Sequence, residues 1–213
     1  MLIRWYGHAC FQLVNQSGLR ILTDPFDESI GYLSPPLTDE IVTVSHSHFD
    51  HAAVDRLQGT PRILRNDSIY QIGAVQVRGI STFHDDFRGK RRGANVMFHF
   101  TIDGIRILHC GDLGHLLYPQ QILQTGPVDI LLLPTGGSLS LEPDMAKKVC
   151  DQLKPKVIIP MHYKTAALNF PLLPVEPFIQ QFPVDKVYRK DSVIELNVSD
   201  LPLEQEVWVL NYL

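Results

Sequence analysis

The sequence predicts an α+β protein in which helices lie outside two packed β-sheets. Three observations carry that expectation. Short apolar, β-branched runs fill the first half of the chain. Helix candidates concentrate after residue 118, alternating with strands. The runs at 41–44, 128–133 and 157–160 are largely apolar, as strands covered on both faces are.

The elements follow in order. Residues 2–5 and 10–14 read as strands, the polar turn 15–18 follows, and 20–23 is the next strand. Asp24-Pro25 ends that run, and residues 25–39, with Pro25, Pro35 and Pro36, read as loop. Residues 41–44 form a buried strand, and 52–57 a short helix. Short strands fill 62–80, including one at 75–80. Strands at 96–102 and 105–109 flank Asp103-Gly104, a two-residue hairpin signal. A helix over 119–124 precedes the run 128–133. A helix over 142–153 carries Pro143 in its first turn, where its missing N–H costs nothing. A strand at 157–160, a helix at 177–182 and strands at 186–188, 193–197 and 206–210 close the chain. No internal repeat and no linker interrupts this pattern, so residues 1–213 are expected to form one domain.

Composition narrows the function classes. The 213 residues suffice for one well-filled core, and 45% apolar content argues against disorder. A net charge of -4 gives no basic field for nucleic acid, so no nucleic-acid partner is expected. No run approaches a membrane span and the start carries no leader pattern, so we expect a cytoplasmic protein with no membrane partner. Cys10, Cys110 and Cys150 are too widely spaced for a disulfide framework or a Cys-rich zinc site, and read as small buried residues.

The chemistry lies in "SHSHFDH", residues 45–51, directly after the strand in "EIVTV". His46 and His48 are two apart, so in an extended segment both imidazoles project to the same side. Asp50 and His51 follow and can reach a second nearby position. Imidazole and carboxylate both suit Zn²⁺, Mn²⁺ or Fe. Four ligands in one short stretch cannot surround two ions, so others must come from other strand ends. His84 in "STFHDD", Asp112 in "HCGDLGH" and His162 in "VIIPMHYKT" each follow an apolar run.

This ordered set resembles that of the metallo-β-lactamase superfamily. "WYGHACFQL" and "ILTDPF" are similar to the opening of the branch that contains the sugar-phosphate lactonases. "RGAN", "HCGDLGH", "LLLPTGG" and "VIIPMHYKT" resemble a subgroup of small Zn-dependent hydrolases. The resemblance covers nearly the whole chain. It implies a four-layer αββα sandwich with the metals at one edge of the sheets. It implies that His46, His48 and His84 hold one ion, that Asp50, His51 and His162 hold the other, and that Asp112 bridges them. Two divalent ions about 3.5–4 Å apart need anionic ligands to offset their repulsion. A hydroxide bridging two ions, formed because metal binding lowers the pKa of water toward ~7, would then be the nucleophile; Asp50 could both bind and orient it, and neither a Ser nor a Cys nucleophile is required.

Other positions carry two readings each. His8 in "YGHAC" and Asp24 in "TDPF" sit at strand ends, and the resemblance puts both beside the site; His8 could equally be a hydrogen-bonded core residue. His115 could be a catalytic proton donor or substrate contact, or a loop residue capping the helix beyond. Arg88, Arg91 and Arg92, in "DDFRGKRRGAN", could form a mobile loop offering cations to a substrate anion, or a solvated hairpin tip. "PTGG", residues 134–137, could approach a ligand or make a tight turn. His99 reads as structural, and His109 is unassigned.

Within the superfamily, flavodiiron proteins carry an acidic residue at the position of His48 and a flavodoxin domain. RNA-processing nucleases carry an inserted domain, and glyoxalase II-like thioesterases carry extra C-terminal helices. None of these matches this chain. The expectation is a hydrolase of a small ester-like molecule, a lactone or phosphodiester, with two divalent ions, Zn²⁺ first and Mn²⁺ or Fe as alternatives, and a homo-oligomer as an open possibility. A metal-dependent small-ligand sensor with little turnover is the other class.

Overall fold

A computed structural model describes every residue of the chain except 36, 37 and 39. The expected loop over 25–39 includes those three positions and there lies outside the described residues. The six-stranded sheet contains β1 (Leu2–Gly7), β2 (Cys10–Val14), β3 (Arg20–Thr23), β4 (Ile41–Thr43) and β5 (Arg62–Leu64). The eight-stranded sheet contains β6 (Ile69–Ile72), β7 (Val75–Phe83), β8 (Ala94–Ile102), β9 (Ile105–His109), β10 (Ile130–Pro134) and β11 (Val157–Met161). The late strands divide: β12 (Val187–Lys190) and β14 (Glu206–Leu210) join the larger sheet, while β13 (Val193–Glu195) pairs with β1.

The strand order is β13-β1-β2-β3-β4-β5 in one sheet and β12-β14-β11-β10-β9-β8-β7-β6 in the other. Both are mixed. The antiparallel hairpins β1–β2–β3 and β7–β8–β9 are followed by parallel neighbours, β4 and β5 in one sheet and β10 and β11 in the other. The β8–β9 turn places Asp103 at φ 50° and Gly104 at φ 80°, the double left-handed geometry that a two-residue hairpin needs.

Period-two alternation assigns the faces. Ile3, Trp5, Phe11, Leu13, Ile21 and Ile41 point between the sheets and meet Val77, Phe98, Phe100 and Ile107 from the other side. Each such buried large side chain contributes about 1.5–3 kcal/mol of transfer free energy. The intervening residues Cys10, Leu22 and Val42 point the other way, into a second apolar cluster with Phe26, Ile30, Tyr32 and Leu168. The six-stranded sheet is therefore apolar on both faces, as expected of strands buried on both sides.

The outer layers differ. On the eight-stranded sheet lie α1 (Pro119–Thr125), against β7, and α2 (Pro143–Leu153), against β10; α3 (Glu176–Ile179) packs on α2. α2 starts at Pro143, buries Ala146, Val149 and Cys150, and stops at Lys154, whose φ is 48°. The outer face of the six-stranded sheet is covered instead by 3-10 turns, Glu28–Ile30 and Val54–Arg56, and by the segment around Leu168 and Leu172. The helix expected over 52–57 is reduced to that second turn. Its N-cap Ala53 offers no side-chain hydrogen bond, and it buries no residue. Among the described residues, no helix is long and apolar enough to cross a membrane.

Candidate metal centre

Six of the strands that run in one sense are followed by the site residues, at one edge of the sandwich. Antiparallel pairing through a middle strand makes β1 codirectional with β3, and β7 codirectional with β9; β4 runs with β3, and β11 with β10 and β9. His8 follows β1, Asp24 follows β3, residues 45–51 follow β4, His84 follows β7, Asp112 follows β9 and His162 follows β11. Backbone bonds tie these ends together across the sheets: Val96 N–H donates to Ser45 C=O at 2.9 Å, and His162 N–H to His8 C=O at 3.1 Å.

Three of these residues stand in the left-handed region, His8 at φ 52°, Asp24 at 39° and His162 at 50°. Such backbone costs about 1 kcal/mol or more for a residue with a Cβ, and it concentrates where side chains must be re-aimed at a strand end. Gly111, at φ 54°, precedes Asp112; a Cβ there would overlap Asn95 Oδ1 and Ser45. Only glycine lets that loop come close enough to put Asp112 among the histidines.

Among the described residues the candidate ligand atoms form three groups, in each of which all atoms lie within 4.8 Å of one another; one of them, Asp24 with His46 and His51, shares its histidines with the other two. Of those two, one holds His46, His48 and His84, and the other holds His8, Asp50, His51 and His162. Asp112 stands between them. Its Oδ2 lies 3.1 Å from His84 Nε2, 3.2 Å from His162 Nε2, 3.3 Å from His51 Nε2 and 3.8 Å from His46 Nε2. The attraction is electrostatic, because Nε2 of His51 and of His162, both fully buried, make no hydrogen bond. Nor does Asp112 Oδ1.

Buried polar atoms left without partners are costly and rare. Here they converge. Ligands about 2.0–2.1 Å from a common ion stand roughly 2.9–3.4 Å from each other. The His46 Nε2 to His48 Nδ1 separation of 2.9 Å and the Asp112 contacts to His84, His162 and His51 fall in that range. The donor set of imidazoles and carboxylates suits a divalent transition metal. The residues present therefore fit the group.

A layer of hydrogen bonds behind the ligands orients them. Asp24 Oδ2 accepts from His51 Nδ1 at 2.8 Å and from Ser45 Oγ–H at 2.6 Å, while Oδ1 accepts Ser45 N–H at 2.8 Å. Ser45 Oγ, having spent its proton on Asp24, accepts from His46 Nδ1 at 2.9 Å. Nδ1 of both His46 and His51 is thus engaged from behind, and both Nε2 atoms are turned toward the centre. His8 Nε2 lies 2.9 Å from Asp50 Oδ2 and orients that carboxylate. Asn95 Oδ1 accepts Asp112 N–H at 3.0 Å, and its Nδ2 donates to Thr82 Oγ1 and Cys110 C=O.

Electrostatics give the same reading. Burial, reinforced by His51, pulls His46 down to about 3, and burial with His162 nearby brings His8 to about 3. Both rings are therefore neutral at ordinary pH. Burial alone would lower His51 too, but the charge of Asp112 and the bond to Asp24 outweigh it and push His51 well above its usual value. Burial raises Asp112, and the surrounding histidines more than reverse that. Asp24, Asp50 and Asp112 are three anions at a buried site, and positive charge is what they demand.

The remaining sequence expectations divide. His8 and Asp24 lie beside the centre. His115 is engaged by the backbone: its Nδ1 bonds Leu116 C=O at 2.7 Å, its Nε2 accepts Phe83 N–H at 3.2 Å, and its ring stacks on Tyr118. Both nitrogens are consumed by backbone, which is the structural alternative. The 85–93 loop is anchored by Asp85, whose carboxylate accepts N–H groups of Phe87, Gly89, Arg91 and Arg92 at 2.7–2.9 Å. Arg91 and Arg92 line a cleft of about 780 Å³ that reaches His48 and His84; Arg88 does not line it. Gly136 of "PTGG" packs on the His162 backbone, its N–H donating to His162 C=O at 3.1 Å, which is the turn reading. His109 bonds Ala9 C=O at 2.8 Å, and His99 bonds Pro127 C=O. Sequence reasoning missed Ser45 and Asn95. The former adjoins His46, which was the available signal; the latter pairs across strands, with no local signal.

Comparison with known proteins gives the family. A profile of the beta-lactamase superfamily domain matches residues 2–162. A UPF0173 metal-dependent hydrolase from Thermoplasma acidophilum is 31% identical over 202 residues, covering 82% of this chain and 87% of that protein. Another, from Carboxydothermus hydrogenoformans, is 31% identical over 195 residues, covering 78% and 85%. A crystal structure from Thermotoga maritima, described as Zn-dependent and of the metallo-beta-lactamase superfamily, is 40% identical. It superposes with a TM-score of 0.83 over 100% of this chain and 99% of its own.

Proposed function

This chain belongs to the metallo-β-lactamase superfamily and is a metal-dependent hydrolase; we propose that it works with two divalent ions on a small ester-like substrate. The observation that carries the proposal is the convergence of three Nε2 atoms within 3.1–3.3 Å of Asp112 Oδ2. His46, His48 and His84 would hold one ion, Asp50, His51 and His162 the other, and Asp112 both. Zinc is the first choice, since the five imidazoles in this set suit it and the Thermotoga maritima structure is described as Zn-dependent.

Bound at these residues, divalent ions would supply an acidified water and polarisation of a carbonyl or phosphoryl oxygen. The protein's own groups do the rest. Asp50 Oδ2, held by His8, would accept and orient the hydrogen bond of the attacking water. Asp24 and Ser45 keep the His46 and His51 Nε2 atoms directed inward. The cleft beside His48 and His84 is small-molecule sized. Three buried thiols, none in a disulfide, fit a reducing cytoplasm.

The test is turnover of 4-nitrophenyl esters, lactones and bis(4-nitrophenyl) phosphate by metal-loaded protein. Turnover lost with a chelator and restored by metal is the expected result. Chelator-insensitive turnover, or none with any of the three classes, contradicts the proposal.

A further inference from the structure

The cleft of about 780 Å³ beside His48 and His84 is polar and strongly charged. Arg91 and Arg92 contribute the cations; Asp85, Asp86 and Glu142 contribute the anions. Two of those anions are already used by the fold. Asp85 accepts four backbone N–H groups, and Glu142 Oε1 accepts Ser138 N–H at 2.9 Å. Only Asp86, which is exposed, opposes the arginines with an uncommitted carboxylate.

The arginines are differently placed. Arg92 Nη2 donates to Ser138 C=O at 2.9 Å, so its guanidinium is held between the 85–93 loop and the 138–142 segment. Its other N–H groups have no hydrogen-bond partner among the described residues. Arg92 also lines a second cleft, of about 300 Å³, on which His46, His48 and Arg65 open. It therefore stands beside His48 in both. The Arg91 guanidinium lies over the Phe87 ring, 3.5 Å from its centroid, a contact that fixes the plane and leaves the N–H edge available. A half-buried guanidinium fixed by one bond and unpaired along its remaining edge is suited to bidentate recognition of a carboxylate or phosphate.

We propose that Arg92, assisted by Arg91, is the anion-binding subsite of this hydrolase, and that its substrate is a small ester-like molecule bearing a carboxylate or phosphate group away from the bond that is cleaved. The proposal rests on the hydrolase reading above. It adds that substrate choice is set by charge: the anion docks at the arginines while the scissile group lies at the histidines.

Two measurements on metal-loaded protein test it. The first compares kcat/KM for a matched pair, neutral 4-nitrophenyl acetate and the anionic mono-4-nitrophenyl ester of succinate. The second, which needs no turnover, is calorimetric binding of inorganic phosphate and of succinate; whichever anion binds more tightly identifies the natural group. Arg92→Gln should weaken that binding by about 10–100-fold, the range for a lost charge-assisted hydrogen bond, with metal content unchanged. The anionic-to-neutral ratio of kcat/KM should fall similarly, through KM. Arg92→Lys, which keeps the charge, should retain more of both. Arg88→Gln removes a charge from the same loop outside the cleft and should leave both near wild type.

Equal losses in Arg92→Gln and Arg88→Gln would show a general charge effect and overturn the subsite. So would unchanged anion binding in both Arg92→Gln and Arg91→Gln. If no ester is turned over but Arg92→Gln alone weakens anion binding, the subsite stands and the hydrolase reading falls. Chelator-sensitive turnover with an unaltered ratio in Arg92→Gln leaves the hydrolase standing and removes the subsite.

Discussion

Asp24 Oδ2 and His51 Nδ1 lie 2.8 Å apart, and both side chains are fully shielded from solvent. The pair decides which nitrogen of His51 faces the ligand cluster. Through Ser45 the same carboxylate decides it for His46. Replacing Asp24 by Asn removes one acceptor oxygen and places an N–H donor where two protons converge. The expected result is a loss of about 10–100-fold in metal affinity with the fold retained, the range for such supporting groups. Chelator competition at constant pH, with circular dichroism on the same samples, measures it. Wild-type affinity in Asp24→Asn would show that the histidines are oriented without it.

Asp50 makes a second prediction. It lies between His48 and His51 in sequence and bonds His8 Nε2 at 2.9 Å. Asp50→Asn keeps the shape but removes the charge and the basic oxygen. Turnover should fall roughly 10²–10⁴-fold, as on losing a general base. Metal held by His46, His48 and His84 should survive, whereas His48→Ala should lose metal and activity together. Rate and metal content on the same preparations separate these outcomes. Near-full activity in Asp50→Asn with one ion bound would make Asp50 a structural ligand only.

The strand pattern and the strand-end histidines and aspartates were legible because both are local. Alternation in "RILT" sends Ile21 into the core between the sheets and Leu22 to the outer cluster, and each of those histidines and aspartates stands at a strand end. The short helix after His51 was not legible, because residues 52–57 carry no cap and no buried face to distinguish a 3-10 turn from a helix. The hydrogen-bonded setting of His115 was not legible for a physical reason. A histidine near Asp112 in sequence points at Asp112 only if the backbone turns it there, and here its nitrogens pair with Phe83 and Leu116 instead. Asn95 was invisible, since its partner Asp112 is 17 residues away and is brought near only by strand pairing.

The thiols are bystanders to the metal site. Cys10, Cys110 and Cys150 are buried, and Cys110 and Cys150 are packed in the main core. Burial pushes the Cys110 and Cys150 thiols above their usual value, so neither is a thiolate ligand at neutral pH. Replacing all three by Ala should lower stability by a few kcal/mol at most and leave the metal-to-protein ratio unchanged. Metal loss in Cys110→Ser alone would mean that "HCGD" supplies sulfur as well as oxygen.

Acid stability should depend on Asp129. Its carboxylate is buried; Oδ2 accepts Arg106 N–H at 3.0 Å and Nε–H at 2.8 Å, while Oδ1 accepts from Nη2 at 2.8 Å. Burial raises the pKa of this carboxyl, and the bonds to Arg106 reverse that and hold it below the usual range. A depressed folded pKa contributes stability above the unfolded value of about 3.9, and that stability is lost as pH falls through the folded one. Urea midpoints measured from about pH 5 down to about pH 2 should therefore fall less steeply in Asp129→Asn than in wild type. Parallel acid limbs would contradict this.

The central claim is that the strand-end histidines and aspartates form one two-ion centre. The most direct measurement is the number of divalent ions bound per chain, by elemental analysis of purified protein and by titration of chelator-treated protein with Zn²⁺. The account predicts about two ions per wild-type chain and a loss of at least one in His48→Ala. Protein that holds no transition metal when purified and takes up none on titration would contradict it.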